Sequence, residues 1–305
     1  MAAGPASNRR LPDLCLEPRG RPLAVAGGLL VASGLAHAAV WAAVGGAWEG
    51  AVTWRKPILF GISGGLTCLS LGWAWAALPW RRGDGLLAWV TAVALVVEVA
   101  LIDLQRWRGV ASHFNRDTPF DSAAYDVMTW LILAATLVIG DLTLRSLVQR
   151  PRLPADMRLA ARAGLGLLAI SCLLGIWAGA AGETRRAAGL PPETLHAAGV
   201  LKFPHGAALH ALQWLPLLAW VARRSGVEEH GRVWIVAVAA AGNALFGCYA
   251  LAQTLLGRGR FDTTPLTAAV LAAAVALLAA PAAWIVVRLA AGSLRGRQVP
   301  WKPEA

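Results

Sequence analysis

EVALIDLQRWRGVASHFNRDTPFD, residues 98–121, joins the outer half of an apolar helix to a dense polar loop. Glu98 and Asp103 fall below the expected membrane surface. Arg106, Arg108, Ser112, His113, Asn115, Arg116, Asp117, Thr118 and Asp121 then follow within one short span. A chain this apolar does not gather so many hydrogen-bonding side chains merely to cross a bilayer. The stretch therefore predicts a polytopic membrane protein with a polar site.

Composition agrees. Of 305 residues, 57% are hydrophobic and 15% charged, against roughly 25% charged in soluble domains. The apolar residues form long blocks instead of alternating with polar ones, which is the transmembrane pattern. The net charge of +11 does not indicate nucleic acid, because the arginines flank apolar blocks and form no stripe. Cys68, Cys172 and Cys248 fall in apolar segments and Cys15 in the N-terminal tail. With no C-x-x-C pair, they read as small packing residues. The N-terminal stretch has no apolar core ahead of its charges, so a polar tail is expected there, not a cleaved signal.

Eight segments are long enough to cross a core of about 30 Å: 22–45, 57–79, 86–105, 123–148, 159–181, 204–222, 232–256 and 265–291. The expected fold is an all-α integral membrane bundle of eight transmembrane helices. A tail at 1–21 precedes a first four-helix half (22–148), and a second half (159–291) precedes a basic tail (292–305). Pro281 should kink the last helix. With both termini cytoplasmic, seventeen Lys and Arg residues face the cytoplasm against ten outside, which favours that orientation. The outward connections 46–56, 106–122 and 182–203 then hold nearly all the unusual chemistry. Trp48, Trp54, Trp80, Trp107 and Trp301 sit where interfacial anchors belong.

A weak internal repeat runs at an offset of about 137 to 148 residues. LLVASGLAHAAVWAAVGGAWE (29–49) resembles LLAISCLLGIWAGAAGE (167–183), matching Ser33 with Ser171 and Trp41 with Trp177. Lys56-Pro57 corresponds to Lys202-Phe203-Pro204, and Gln105 with Thr118-Pro119 to Gln253 with Thr264-Pro265. This predicts a 4+4 duplication with the halves in the same orientation, as in parallel-repeat transporters. Lys56 and Lys202 would then approach a common centre.

The candidate site residues follow from burial and spacing. Glu98 lies about 10 Å below the outer helix end, where an ionisable group faces a partner or a wet cavity. It is a candidate acid, base or counter-charge, or alternatively the partner of an arginine on a neighbouring helix. Gln105 shares its face. Lys56 and Ser63, seven apart, share a face of the second helix; Lys56 either snorkels to the interface or joins Lys202 and Arg108 around an anionic group. In KFPHGAALHALQWLP, Pro204 suits a first helical turn, which places His205 at the positive helix end and favours its neutral form. His210 and Gln213 share a face.

His205 and His210 are five apart, unlike the i, i+4 pair of a helical zinc site. A metal would need a third nitrogen from His113 or His196, and haem would need paired histidines between helices. Metal or haem is thus an open alternative to hydrogen-bonded structural histidines. Thr118 or Asp121 could simply cap the fourth helix, and Asp141–Arg145 reads as a structural i, i+4 pair. Asn115 likewise suits a turn; His113 beside Arg108 and Arg116 is not explained by capping.

The strings WRKPILFGIS, RGVASHFNRDTPFD and FPHGAALHALQWLP together resemble an uncharacterised family of bacterial polytopic membrane proteins, over about residues 20–220. That resemblance implies topology and a choice of residues, and no activity. A looser likeness to ceramidase-like membrane hydrolases breaks at the late histidines, spaced H-x-x-x-H there and H-x-x-x-x-H here. The sequence-based expectation is a membrane-embedded enzyme or cofactor protein acting on a lipid or other apolar ligand. Its catalytic candidates are Glu98, His113, Asp121, His205 and His210; its binding candidates are Lys56, Ser63, Gln105, Arg108, Asn115, Lys202 and Gln213. A proton-coupled transporter or a structural membrane subunit are the alternatives.

Overall fold

The structure is a computed structural model that describes residues 20–296, with side chains through residue 290. Most of the expected tails at 1–21 and 292–305, including Cys15 and Trp301, lies outside the described residues. The elements are α1 (Arg21–Val44), α2 (Arg55–Ala76), α3 (Asp84–Trp107), α4 (Pro119–Val148), α5 (Ala155–Ala187), β1 (Thr194–Leu195), β2 (Gly199–Val200), α6 (Lys202–Leu209), α7 (Ala211–Arg224), α8 (Glu229–Leu255) and α9 (Pro265–Gly296). The two short strands pair antiparallel. Helix α9 runs through Pro281 and past the expected tail boundary at 292.

Seven helices, α1–α5, α8 and α9, are long and apolar enough to cross a membrane. A helix meets its own backbone hydrogen bonds, which a hydrocarbon solvent requires. Their outer faces carry large exposed apolar side chains, among them Trp130, Leu137 and Val148, each more than 70% exposed. Contiguous apolar surface on that scale marks a membrane or partner face. The chain is a multi-pass helical membrane protein.

The sixth expected span is not one helix. It breaks at His210 into α6 and α7, of 8 and 14 residues. The break is held from outside: the Asn243 amide of α8 donates to the Ala207 carbonyl at 2.8 Å, and Trp214 Nε1 donates back to Asn243 Oδ1 at 3.0 Å. Backbone groups freed within a membrane must be met by such neighbours. Pro216, four residues after Leu212, brings no N–H to the Leu212 carbonyl.

Two ends of the bundle can be told apart by their contacts. One gathers the connections around residues 45–54, 108–118, 188–201 and 256–264; Trp107 of α3 bonds His37 of α1, and Thr254 of α8 bonds the Val200 carbonyl. The opposite end is stapled by buried carboxylates. Asp84 holds Arg145 at 2.8 Å, and Asp156 holds both Arg223 and Arg232 at 2.7 Å. The expected Asp141–Arg145 pair is the weaker contact at 3.6 Å, since Arg145 turns to Asp84 and Asp141 takes Arg81 at 2.8 Å. The α6–α7 pair joins the two ends, with Lys202 on Glu193 at one and Arg223 on Asp156 at the other.

Glycines set the closest helix crossing. A Cβ on Gly61 would lie 2.7 Å from Gly34 Cα, and one on Gly65 would lie 2.7 Å from the Gly27 carbonyl. Only bare backbone lets α1 and α2 approach so far, the small-residue packing of membrane helices. In the second half Gly164 of α5 meets the Leu212 backbone of α7 in the same way, at 2.6 Å. Cys68 and Cys172 are buried, as expected, and Cys248 is exposed. One tryptophan departs from its expected place. Trp54 is buried edge-on against Trp107 with Arg106 over its ring, so it packs the bundle and does not face the interface.

Candidate functional site

At the loop-rich end, the polar stretch that dominates the sequence closes on itself. Helix α3 stops at Gly109, whose positive φ of 74° supports the reversal. Pro119 opens α4, and the Thr118 hydroxyl accepts from the Asp121 N–H at 3.1 Å as its cap. The Asp121 carboxylate, 2% exposed, takes Gln105 Nε2 at 2.9 Å, Thr118 Oγ1 at 2.7 Å and Arg108 Nη1. Arg108 also donates to Gln105 Oε1. Asn115 bonds the Ala111 carbonyl and the Asp117 N–H, a local turn. Arg116 crosses to Glu183 and Asp126. Gln105, Arg108 and Asp121 therefore hold one another, Asn115 shapes the turn between them, and Arg108 does not join Lys56.

His113 sits beside this network, on the loop. Its Nδ1 is 2.9 Å from Ser112 Oγ, and its ring packs against Phe60, Phe114 and Tyr125. Phe114 holds a positive φ of 58° and presses onto Gly182, where any Cβ would collide with the ring. Burial, with Lys56 and Lys202 nearby and against the pull of Glu193, lowers the His113 imidazole to about 4. Glu193 is opposed by burial, but its bond to Lys202 and the charges of Lys56 and Arg55 hold it below the ordinary carboxylate range. Lys56 and Lys202 both act on Glu193 by charge. Lys56 Nζ rests on the Ala51 carbonyl at 3.1 Å, while Lys202 is tied to Glu193 at 2.9 Å.

Around the helix break the polar groups are fewer and less satisfied. His205 Nδ1 lies 2.8 Å from the Ser171 carbonyl, which can only accept, so that nitrogen carries the proton. The Nε2 lone pair of neutral His205 is therefore left available. Ser171 Oγ closes the contact by donating to the His205 carbonyl at 2.8 Å, and Gly175 leaves room for the ring. His210, at the break, brings Nε2 to 3.3 Å from Ser63 Oγ of α2. Gln213 lies beside His210 and donates Nε2 to Thr67 Oγ1 at 3.2 Å. Glu98 is 8% exposed. It has no hydrogen-bond or ion-pair partner among the described residues, so the arginine partner is not there. Its charge is felt at Cys172 on α5.

The candidate residues thus separate into a paired network (Gln105, Arg108, Asp121) with Asn115 in the turn beside it, a half-buried His113 with Lys56 and Lys202 near it, and a sparser group of Ser63, His205, His210 and Gln213 with Glu98 toward α5. Among the described residues no group of three or more His, Cys, Asp or Glu side chains is placed to hold a metal ion. His113 packs among aromatic rings on the loop, whereas His205 lies in α6 and His210 at the break that follows it.

One polar cluster is not evident from the loop-centred sequence reading. Ser33 Oγ donates to Asp103 Oδ2 at 2.9 Å, and His37 Nδ1 bonds the Ser33 carbonyl at 2.9 Å. Trp107 Nε1 donates to His37 Nε2 at 3.0 Å, so His37 is held as the Nδ1–H tautomer. Two i, i+4 polar pairs, Ser33/His37 within an expected span and Asp103/Trp107 across the end of another, are its signature in the sequence. Asn243, an amide in the middle of an apolar helix, is the comparable signal for the helix break.

No family model matches this chain, and no curated protein or solved structure matches it.

Proposed function

We propose that this is an enzyme embedded in the cell membrane, acting by acid–base chemistry on a lipid or other apolar substrate at Ser63 and His210. The observation that carries this reading is the contact between Ser63 Oγ and His210 Nε2, at 3.3 Å across the bundle. A hydroxyl within reach of an imidazole, with a third group beside the base, is the arrangement of an activated nucleophile. Gln213 is that third group. His210 Nε2 would take the Ser63 proton, His205 Nε2 would serve as a second acceptor, and Glu98 would act as proton donor or counter-charge. Lys56 and Lys202 stand at the loop-rich mouth, where an anionic group would be met.

The same reading includes eight crossings, with α6 and α7 forming the sixth together, both termini cytoplasmic, and a 4+4 parallel duplication. Corresponding contacts support the duplication. Gln105 and Gln253 occupy the same place in the same helix-ending motif: the N–H groups of Val110 and Arg258 reach back to their carbonyls, and Gly109 and Gly257 both have positive φ. Thr118 and Thr264 accept at equivalent helix starts, each just before a proline. The Gly27–Gly65 crossing corresponds to Gly164–Leu212. Gly34 meets the Ile58 carbonyl where Ser171 meets that of His205. These contacts move the helical register by one residue, pairing Ser171 with Gly34 and not with Ser33. In this register Ser63 corresponds to His210, so the proposed reacting pair are equivalents touching each other, as residues on a local two-fold axis do.

The test is turnover of a panel of fluorescent phospholipid and isoprenoid esters by protein reconstituted in liposomes, beside Ser63→Ala and His210→Ala. Loss of turnover in both variants, with unchanged melting temperature, is expected. Unaltered turnover in either would overturn the assignment.

A second reading, a proton-coupled transporter, is favoured by two observations: the broken sixth passage and the partnerless Glu98. Solute uptake driven by a proton gradient and abolished by Glu98→Gln would select it.

A further inference from the structure

Between α2 and α7, toward the stapled end, lies a groove of about 340 Å³. Leu69 and Trp73 form one wall, Leu212, Leu217 and Trp220 the other, and Met157 the floor. No charged side chain lines it, and Leu217 is 57% exposed, so the groove opens sideways on the surface that faces hydrocarbon. From Gln213 to Trp220 it runs about 10 Å along the helix axis. At its outer end Arg224 stacks over the Trp220 ring at 4.7 Å. Its neighbour Arg223 is neutralised by Asp156, but Arg224 has no hydrogen bond or ion pair among the described residues. A cation without a carboxylate thus stands at the mouth of an apolar slot of chain width.

We propose that this groove is a binding site for one anionic phospholipid, with an acyl chain between α2 and α7 and its phosphate at Arg224. Charge complementarity chooses this occupant. A neutral apolar molecule would use the slot and leave Arg224 uncompensated, and a soluble anion would use Arg224 and leave the slot empty. Basic residues where helices meet the anionic leaflet bind phospholipid head groups in this way. The volume falls at the lower end of the range of small-molecule sites, enough for one chain and not for two. The site is distinct from Ser63–His210. The phosphate sits at the far end of the groove, and only the chain's tail points toward Gln213. The proposal therefore does not rest on the enzymatic reading.

The experiment uses the full chain in nanodiscs of dioleoyl phosphatidylcholine, titrated with dioleoyl phosphatidylglycerol. Melting temperature is followed, and native mass spectrometry counts retained lipid. The expected result is one retained phosphatidylglycerol and a melting temperature that rises with its mole fraction. Arg224→Gln should reduce the preference for phosphatidylglycerol over phosphatidylcholine about fivefold, the equivalent of one basic contact near a membrane surface. Leu217→Trp, which fills the slot and keeps Arg224, should abolish retention. Equal stabilisation by the two lipids overturns the proposal, as does full retention in either variant. Catalytic turnover is not read, so failure here and failure at Ser63–His210 are separate results.

Discussion

The loop-rich end and the helix break each gather acids, bases and amides, yet they are built on opposite terms. Around Asp121 the carboxylate has three local side-chain donors: Gln105, Arg108 and Thr118. Around His210 the contacts are long-range and incomplete. Ser63 comes from another helix at 3.3 Å, His205 keeps a nitrogen open, and Glu98 has no partner among the described residues. Dense polar sequence marks a turn that must satisfy itself at the membrane surface. Sparse polar residues at depth, left short of partners, mark where a ligand or proton can make a difference.

Four measurements would break or sharpen that contrast. The largest effect is expected for His210→Ala, with turnover falling at least about a hundredfold, as for loss of a general base. Its melting temperature should match the parent. A parallel fall in folded yield would place His210 with the structural network instead. Next, Asp121→Ala should lower melting temperature and folded yield sharply, because Gln105 and Arg108 lose their common acceptor. Residual folded protein should keep its turnover per molecule. A fully stable, inactive Asp121→Ala protein would make the loop the reactive centre and reverse the comparison.

Glu98→Gln should leave stability unchanged or raise it, since a partnerless buried carboxylate is replaced by a neutral amide of the same shape. A marked loss of stability, read by thermal unfolding in detergent, would reveal a partner for Glu98. The smallest effect concerns His113. Free imidazole takes its proton near 6.5, but in the fold the ring does so only near 4. The unfolded chain therefore binds more protons between these values. The contribution of His113 is intact above 6.5, declines as pH falls toward 4, and levels off below. His113→Gln should flatten that part of the melting-temperature profile; an identical slope in the variant would show that the ring titrates freely.

Much of this was legible beforehand. Long apolar blocks with flanking arginines marked each membrane passage because hydrocarbon admits only self-satisfied backbone, a constraint that acts locally and leaves a local trace. Thr118-Pro119 announced the start of α4 for the same reason. The break at His210 left no such trace, because it is held by Asn243, more than thirty residues away. The tryptophan at 54 read as an anchor because sequence position alone does not show that Trp107 and Arg106 fold over it.

The sequence by itself determined the class of protein, the places of its seven long apolar helices, the loop that caps α4, and the histidines, serine and acid worth watching. Solvent matching and backbone satisfaction depend on runs of neighbouring residues, and such runs are written in order along the chain. Tertiary structure alone decided that Asp121 is saturated and Glu98 is not, that Ser63 meets His210, and that a slot ending at Arg224 opens between α2 and α7. Those are facts about distances between helices, set by the glycine crossings and the buried carboxylate staples. A side chain's partners there are chosen by packing, not by its place in the sequence.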